Sequence, residues 1–154
     1  MVIFLSIFTG LMAIICIVYV INNNNKEKNI IKVGEKFKDK GFTYTRIKNK
    51  AFDLILKKDG EEYYVKVIFN PREDEININS KYYFQINHGV VSSRKKGEKL
   101  EKVYDLIDLN QKNKIYVIYP GSKRLMKVIN ECEMIFIDDN TDIYGTKMYQ
   151  FKNM

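Results

Sequence analysis

Histidine occurs once in this sequence, at His88, and cysteine twice, at Cys16 and Cys132. That scarcity argues against two ways of holding a small protein together. The cysteines fall in parts of different character, which argues against a disulfide framework. Neither stands in a pair with metal-ligand spacing, and one histidine does not complete a structural zinc centre. Charge is also missing, but only locally. None of the first 21 residues is Lys, Arg, Asp or Glu, although the chain carries 26 lysines and arginines against 19 aspartates and glutamates, a net charge of +7. No lysine or arginine precedes the apolar run, and no small-x-small pattern follows it, so it does not read as a cleaved signal peptide. No internal repeat is present.

What is there divides the chain by solvent. Residues 2–21, VIFLSIFTGLMAIICIVYVI, match the ~20 apolar residues needed to cross a bilayer core. Residues 1–21 are therefore expected to be a single transmembrane helix, 22–26 a polar spacer, and 27–154 one domain. The roughly 130 residues beyond the apolar run are enough for one core. Lys26, Lys28 and Lys32 follow the run directly, so the positive-inside rule predicts a cell-membrane protein with a cytoplasmic C-terminal domain. Two unpaired cysteines suit a reducing compartment.

Beyond the spacer, 27–40 reads as a helix with Ile30, Val33 and Phe37 on one stripe, stopped by Gly41. Strands are expected at 42–48, 52–57 and 62–69, the last two joined by the hairpin signal Asp59-Gly60. Asn70-Pro71 ends the third, and 72–79 reads as a loop. A strand at 81–86 leads to a long helix over 92–110, with Leu100, Val103, Tyr104 and Ile107 on one face. The run 115–119, IYVIY, suits a strand buried on both faces. Ser122 is placed to cap a helix carrying Leu125, Val128, Ile129 and Cys132, and MIFI at 134–137 reads as another buried strand. The tail from Thr141 is ambiguous. The sum is an α/β (α+β) fold, a mixed sheet flanked by helices on both faces.

The chemistry centres on 51–69, AFDLILKKDGEEYYVKVIF, with Asp53 on one strand and Lys66 on the next. A lysine in an apolar strand is costly unless paired, and Asp53 or Glu62 are the nearest candidates. Read with Glu35, the order Glu35, Asp53, Lys66 resembles the restriction-endonuclease-like, PD-(D/E)xK superfamily, closest to its Mrr-like and resolvase-like members. The resemblance covers residues 28 to about 144. It is carried by VGEKFKDKGFTYTRIKNKAFDLIL, then EYYVKVIF, KIYVIYP and MIFIDD. It implies a restriction-endonuclease-like fold, with Glu35 and Asp53 as ligands of Mg2+ or Mn2+ and Lys66 as the strand lysine. Such a site would cleave phosphodiesters of DNA or RNA through metal-activated water.

One position departs from that pattern. The carboxylate two residues before the lysine is replaced by Tyr64. Glu62 shares the face of Tyr64 and Lys66 but stands one pleat repeat away, ~7 Å along the strand, which points to a degenerate site. The cluster Arg94, Lys95, Lys96, with Lys99 beyond, could hold phosphates or simply face water. Two functions from different classes follow. One is a membrane-anchored nuclease-like domain that binds nucleic acid, with a site expected to be degenerate and cleavage in doubt. The other is a non-catalytic, membrane-tethered domain that recognises a protein partner. Metal-dependent cleavage and salt-sensitive DNA binding separate them.

Overall fold

In the computed structural model the described residues are 2–48, 51–80, 83–87, 99–102, 113–130, 132–139 and 141–154. The chain opens with one unbroken helix, α1 (Val2–Asp39), 38 residues long. Its apolar half is exposed along its described side chains: Ile7, Phe8, Leu11 and Ile14 are each more than half exposed. That half is long and apolar enough to cross a membrane. Its C-terminal half packs through Ile30, Val33 and Phe37, the stripe expected from the sequence, and all three are buried.

The stretch 22–26, expected to be a spacer, is helical. No proline or glycine stands between Ile21 and Val33, and asparagine costs a helix only a few tenths of a kcal/mol per residue. A helix anchored at Ile30 therefore runs on without interruption. It stops at Gly41, whose φ of +84° is the left-handed conformation that glycine tolerates best. Phe42 N–H reaches the carbonyl of Phe37 (3.1 Å), and Gly41 N–H that of Lys38 (2.9 Å). This is the Schellman pattern, completed by edge-on contact of the Phe37 and Phe42 rings at 5.6 Å.

Strands β1 (Thr43–Arg46), β2 (Leu54–Lys58) and β3 (Glu61–Phe69) form an antiparallel meander. Asp59 and Gly60, with φ of +53° and +82°, make the tight turn their sequence announces. Next come β4 (Glu75–Ser80), β5 (Tyr83–Asn87) and β6 (Lys99–Lys102), then β7 (Lys114–Tyr119), β8 (Leu125–Asn130) and β9 (Glu133–Phe136). The chain ends with β10 (Asp142–Ile143), β11 (Thr146–Gln150) and a short 3-10 turn. One sheet has the order β1-β2-β3-β7-β11-β10, the other β6-β5-β4-β8-β9. β7 runs parallel to both β3 and β11. The protein is thus α+β, with one helix and two mixed sheets among the described residues.

Three sequence expectations are corrected here. Residues 122–130 do not form the expected helix. Leu125 and Met126 are buried, and β8 pairs in parallel with β4 from Leu125 onward. A short run such as LMKVI fits either periodicity, and its β-branched residues are at home in a strand. The expected loop at 72–79 contains most of β4, where Ile76 and Ile78 alternate inward from polar neighbours. The expected helix over 92–110 lies mostly outside the described residues, but Lys99–Lys102 is strand.

The core has two faces. α1 covers one, against Leu54, Leu56, Val65, Val67, Ile115 and Val117. The second sheet covers the other, where Ile68, Ile76, Phe84, Tyr116 and Ile118 meet. So β7 is buried on both faces, as its continuous apolar run requires, but the second layer is a sheet where a helix was expected. β9, expected to be buried, lies at that sheet's edge with Met134, Ile135 and Phe136 exposed.

Candidate active site and basic cleft

β2 begins at Leu54, opposite Val65, so β3 runs on past its partner. Asp53 extends the pairing from just outside the strand. Its N–H donates to the Val65 carbonyl at 2.7 Å, and its Oδ2 accepts the Val67 N–H at 2.9 Å. A carboxylate thus takes a place where a backbone carbonyl would continue the ladder. Asp53 is 5 % exposed, so its charge needs compensation. Lys66 Nζ lies 3.7 Å from Oδ2, and Arg46 Nη1 lies 3.9 Å from Oδ1.

Arg46 is itself clamped. Its Nε and Nη2 donate to the two oxygens of Glu27 on α1, at 2.9 and 2.8 Å. Nη1 also donates to the backbone carbonyls of Asp53, at 2.7 Å, and of Ile47. The planar fork matches the carboxylate and ties helix to strand. The hydrogen bonds from Arg46 hold the Glu27 carboxyl below its ordinary range, outweighing burial, and raise the guanidinium in turn.

The residues expected from the sequence separate into two groups. Asp53 and Lys66 come together. Glu62 does not join them: it pairs with Lys57 at 2.6 Å and accepts from the Tyr64 hydroxyl at 3.1 Å. Its carboxyl is held low, first by Lys57 and then by Tyr64. Glu35 accepts a short hydrogen bond from the Tyr44 hydroxyl, which pushes that phenol up, and lies 3.8 Å from Lys38. Arg94, Lys95 and Lys96 lie outside the described residues, and Lys99 opens β6 rather than standing on a helix. Sequence reading missed Arg46 and Glu27. Their pairing joins residues 19 apart, and the only local hint is a cation inside the aromatic strand FTYTRIK.

A divalent metal does not fit the donor set as folded. Among the described residues no three His, Cys, Asp or Glu side chains gather to hold one. Of the two carboxylates the resemblance assigns to a metal, Asp53 is already surrounded by an amide N–H and two cations, and Glu35 is engaged by the Tyr44 hydroxyl and lies beside Lys38.

The other feature is a cleft of about 680 Å³ between α1 and the extended end of β3. Its charged lining consists of Lys26, Lys28, Lys32 and Lys66. Asn22, Asn25 and Asn29 add amide donors, and no acidic side chain is among the described residues lining it. Phe69, Pro71, Tyr119 and Pro120 form the apolar wall. Lys26 Nζ stands 5.3 Å from the centre of the Phe69 ring, a cation–π contact that holds the ammonium against that wall.

In comparison with known proteins, no family model, no curated protein and no solved structure matches this chain.

Proposed function

We propose that this chain is a membrane-anchored, nuclease-like domain that holds the phosphate backbone of a nucleic acid without cutting it. The anchor is the apolar half of α1, and the charge that follows it orients the folded part toward the cytoplasm. Support for the nuclease-like reading comes from order and meeting: a helix, a strand, an aspartate, then a strand lysine, with Asp53 and Lys66 converging at 3.7 Å. Support for the absence of cleavage comes from Arg46. Its guanidinium bridges the Glu27 and Asp53 carboxylates and supplies the positive charge that a metal would otherwise bring. A net charge of +7 favours a polyanionic partner.

The full chain in neutral detergent, incubated with plasmid and single-stranded DNA in Mg2+ or Mn2+ beside an Asp53→Ala control, tests the reading. Binding that falls log-linearly with salt, with no Asp53-dependent nicking, is the expected result. Nicking lost in Asp53→Ala would restore the active nuclease. No binding at low salt would remove the nucleic acid.

A second reading has its own observation. Edge strand β9 exposes Met134 by 57 % and Phe136 by 72 %. An apolar edge of this kind suits strand pairing with a protein partner, the non-catalytic interaction domain.

A further inference from the structure

We infer that the lysine-lined cleft beside α1 seats the phosphate headgroup of an anionic membrane lipid. The inference rests on α1 crossing a membrane and is independent of nucleic-acid binding. Its first support is position. α1 is unbroken, so the cleft's first wall residue, Asn22, follows the last apolar residue, Ile21, without a gap. The helical segment lining it, Asn22 to Lys32, spans about 15 Å at ~1.5 Å per residue. The headgroup layer occupies the ~5–8 Å beyond the hydrocarbon on each side of a bilayer. The near end of the cleft therefore opens within that layer.

Its second support is chemistry. A phosphate diester needs positive charge and N–H donors, and the cleft offers the ammonium groups of Lys26, Lys28 and Lys32 and asparagine amides, with no carboxylate among its described lining, while Lys66 beside them is already paired with Asp53. Lysine is a compact charge suited to phosphate, and three of the four stand on the helix that enters the membrane. The volume, about 680 Å³, lies within the ~300–1,000 Å³ of small-ligand sites. The apolar wall of Phe69, Pro71, Tyr119 and Pro120 suits the glycerol and upper acyl carbons rather than a fully hydrated free ion. A nucleic acid in the same cleft would lie against the negative surface of the bilayer, which repels it.

The test uses the full chain in a neutral detergent. It is offered equimolar phosphatidylglycerol and phosphatidylcholine with the same acyl chains, and bound lipid is counted by native mass spectrometry. Retention of phosphatidylglycerol about tenfold over phosphatidylcholine is expected. A lysine near the surface contributes up to about a fivefold preference, so Lys28→Gln with Lys32→Gln should remove most of the tenfold difference and bring retention to near parity. Lys38→Gln with Lys123→Gln, outside the cleft, should leave it unchanged. Far-UV circular dichroism checks that helix content is kept. Should the cleft double variant fail to fold, Lys26→Gln alone carries the test with a loss of about fivefold.

Equal retention of both lipids overturns the proposal, as does a preference that survives loss of the cleft lysines. Competitor arms separate the sources. Displacement of the lipid by glycerol phosphate or inorganic phosphate at equal concentration would make the ligand a soluble phosphate and overturn the lipid. Displacement by a single-stranded oligonucleotide would give the cleft to nucleic acid and overturn it equally.

Discussion

Lys66 and Asp53 meet across the end of the β2–β3 hairpin, ammonium to carboxylate at 3.7 Å, while the same carboxylate oxygen accepts the Val67 amide at 2.9 Å. Two demands, one electrostatic and one of backbone pairing, converge on a single buried oxygen. Asp53 therefore has a structural role whatever chemistry it does or does not perform.

This predicts a graded response at Asp53. Asp53→Asn keeps an oxygen for the Val67 N–H and should cost about 1–2 kcal/mol. Asp53→Ala leaves the Val67 amide without its acceptor and takes the shared carboxylate away from Lys66 and Arg46, and should cost about 3–5 kcal/mol. Denaturant titration of the full chain in detergent measures both. Equal losses would mean that the hydrogen bond to Val67 contributes nothing.

Acid should weaken the link between α1 and β1. The Glu27 carboxyl is depressed by Arg46, so its folded value lies below its unfolded one. The sign follows: its stabilisation is complete above the ordinary carboxylate range and is lost as pH falls through the lowered folded value. Arg46→Met should flatten this acid limb while leaving that of Glu62, which depends on Lys57 and Tyr64, in place. Melting temperature against pH, wild type beside variant, reads the difference.

Gly34 has a steric role rather than a conformational one. A Cβ there would come within 2.6 Å of the Tyr44 ring. Alanine favours a helix by about 1 kcal/mol over glycine, but overpacking costs about 1–3 kcal/mol. Gly34→Ala should therefore destabilise on balance in the wild-type background and stabilise once Tyr44 is shortened to Ala. A double-mutant cycle by thermal unfolding gives the coupling, and an additive result would contradict the contact.

Asn70 staples the turn between the sheets. It is 1 % exposed, donates to the carbonyls of Asp74 (2.8 Å) and Gly121 (2.9 Å), and accepts the Asp74 N–H at 3.2 Å. Asn70→Ala removes three hydrogen bonds to backbone groups and should cost about 2–4 kcal/mol. Asn70→Asp keeps the acceptor but turns a buried carboxylate oxygen on the Asp74 and Gly121 carbonyls, so it should cost at least as much as the alanine. Denaturant midpoints order the three proteins.

Much of this protein was legible in one dimension wherever neighbours in sequence are neighbours in space. The helix stripe Ile30, Val33, Phe37, the stop at Gly41, the Asp59-Gly60 hairpin and the doubly buried run of β7 all depend on local periodicity and backbone preference. The meeting of Asp53 with Lys66 was legible too, because a two-residue turn sets the register that brings them close. Pairings between distant segments were not. LMKVI became strand β8 because β4 lay open beside it, and the periodicity of so short a run does not distinguish that outcome from a helix. The polar stretch after Ile21 stayed helical because Ile30 and Val33 hold the helix against the sheet. Arg46 closing on Glu27, the diversion of Glu62 to Lys57 and the lysine-lined cleft exist only once helix and sheet are docked. Long-range contacts choose among local conformations of nearly equal free energy, and a side chain's partner is decided by that choice rather than by its place in the chain.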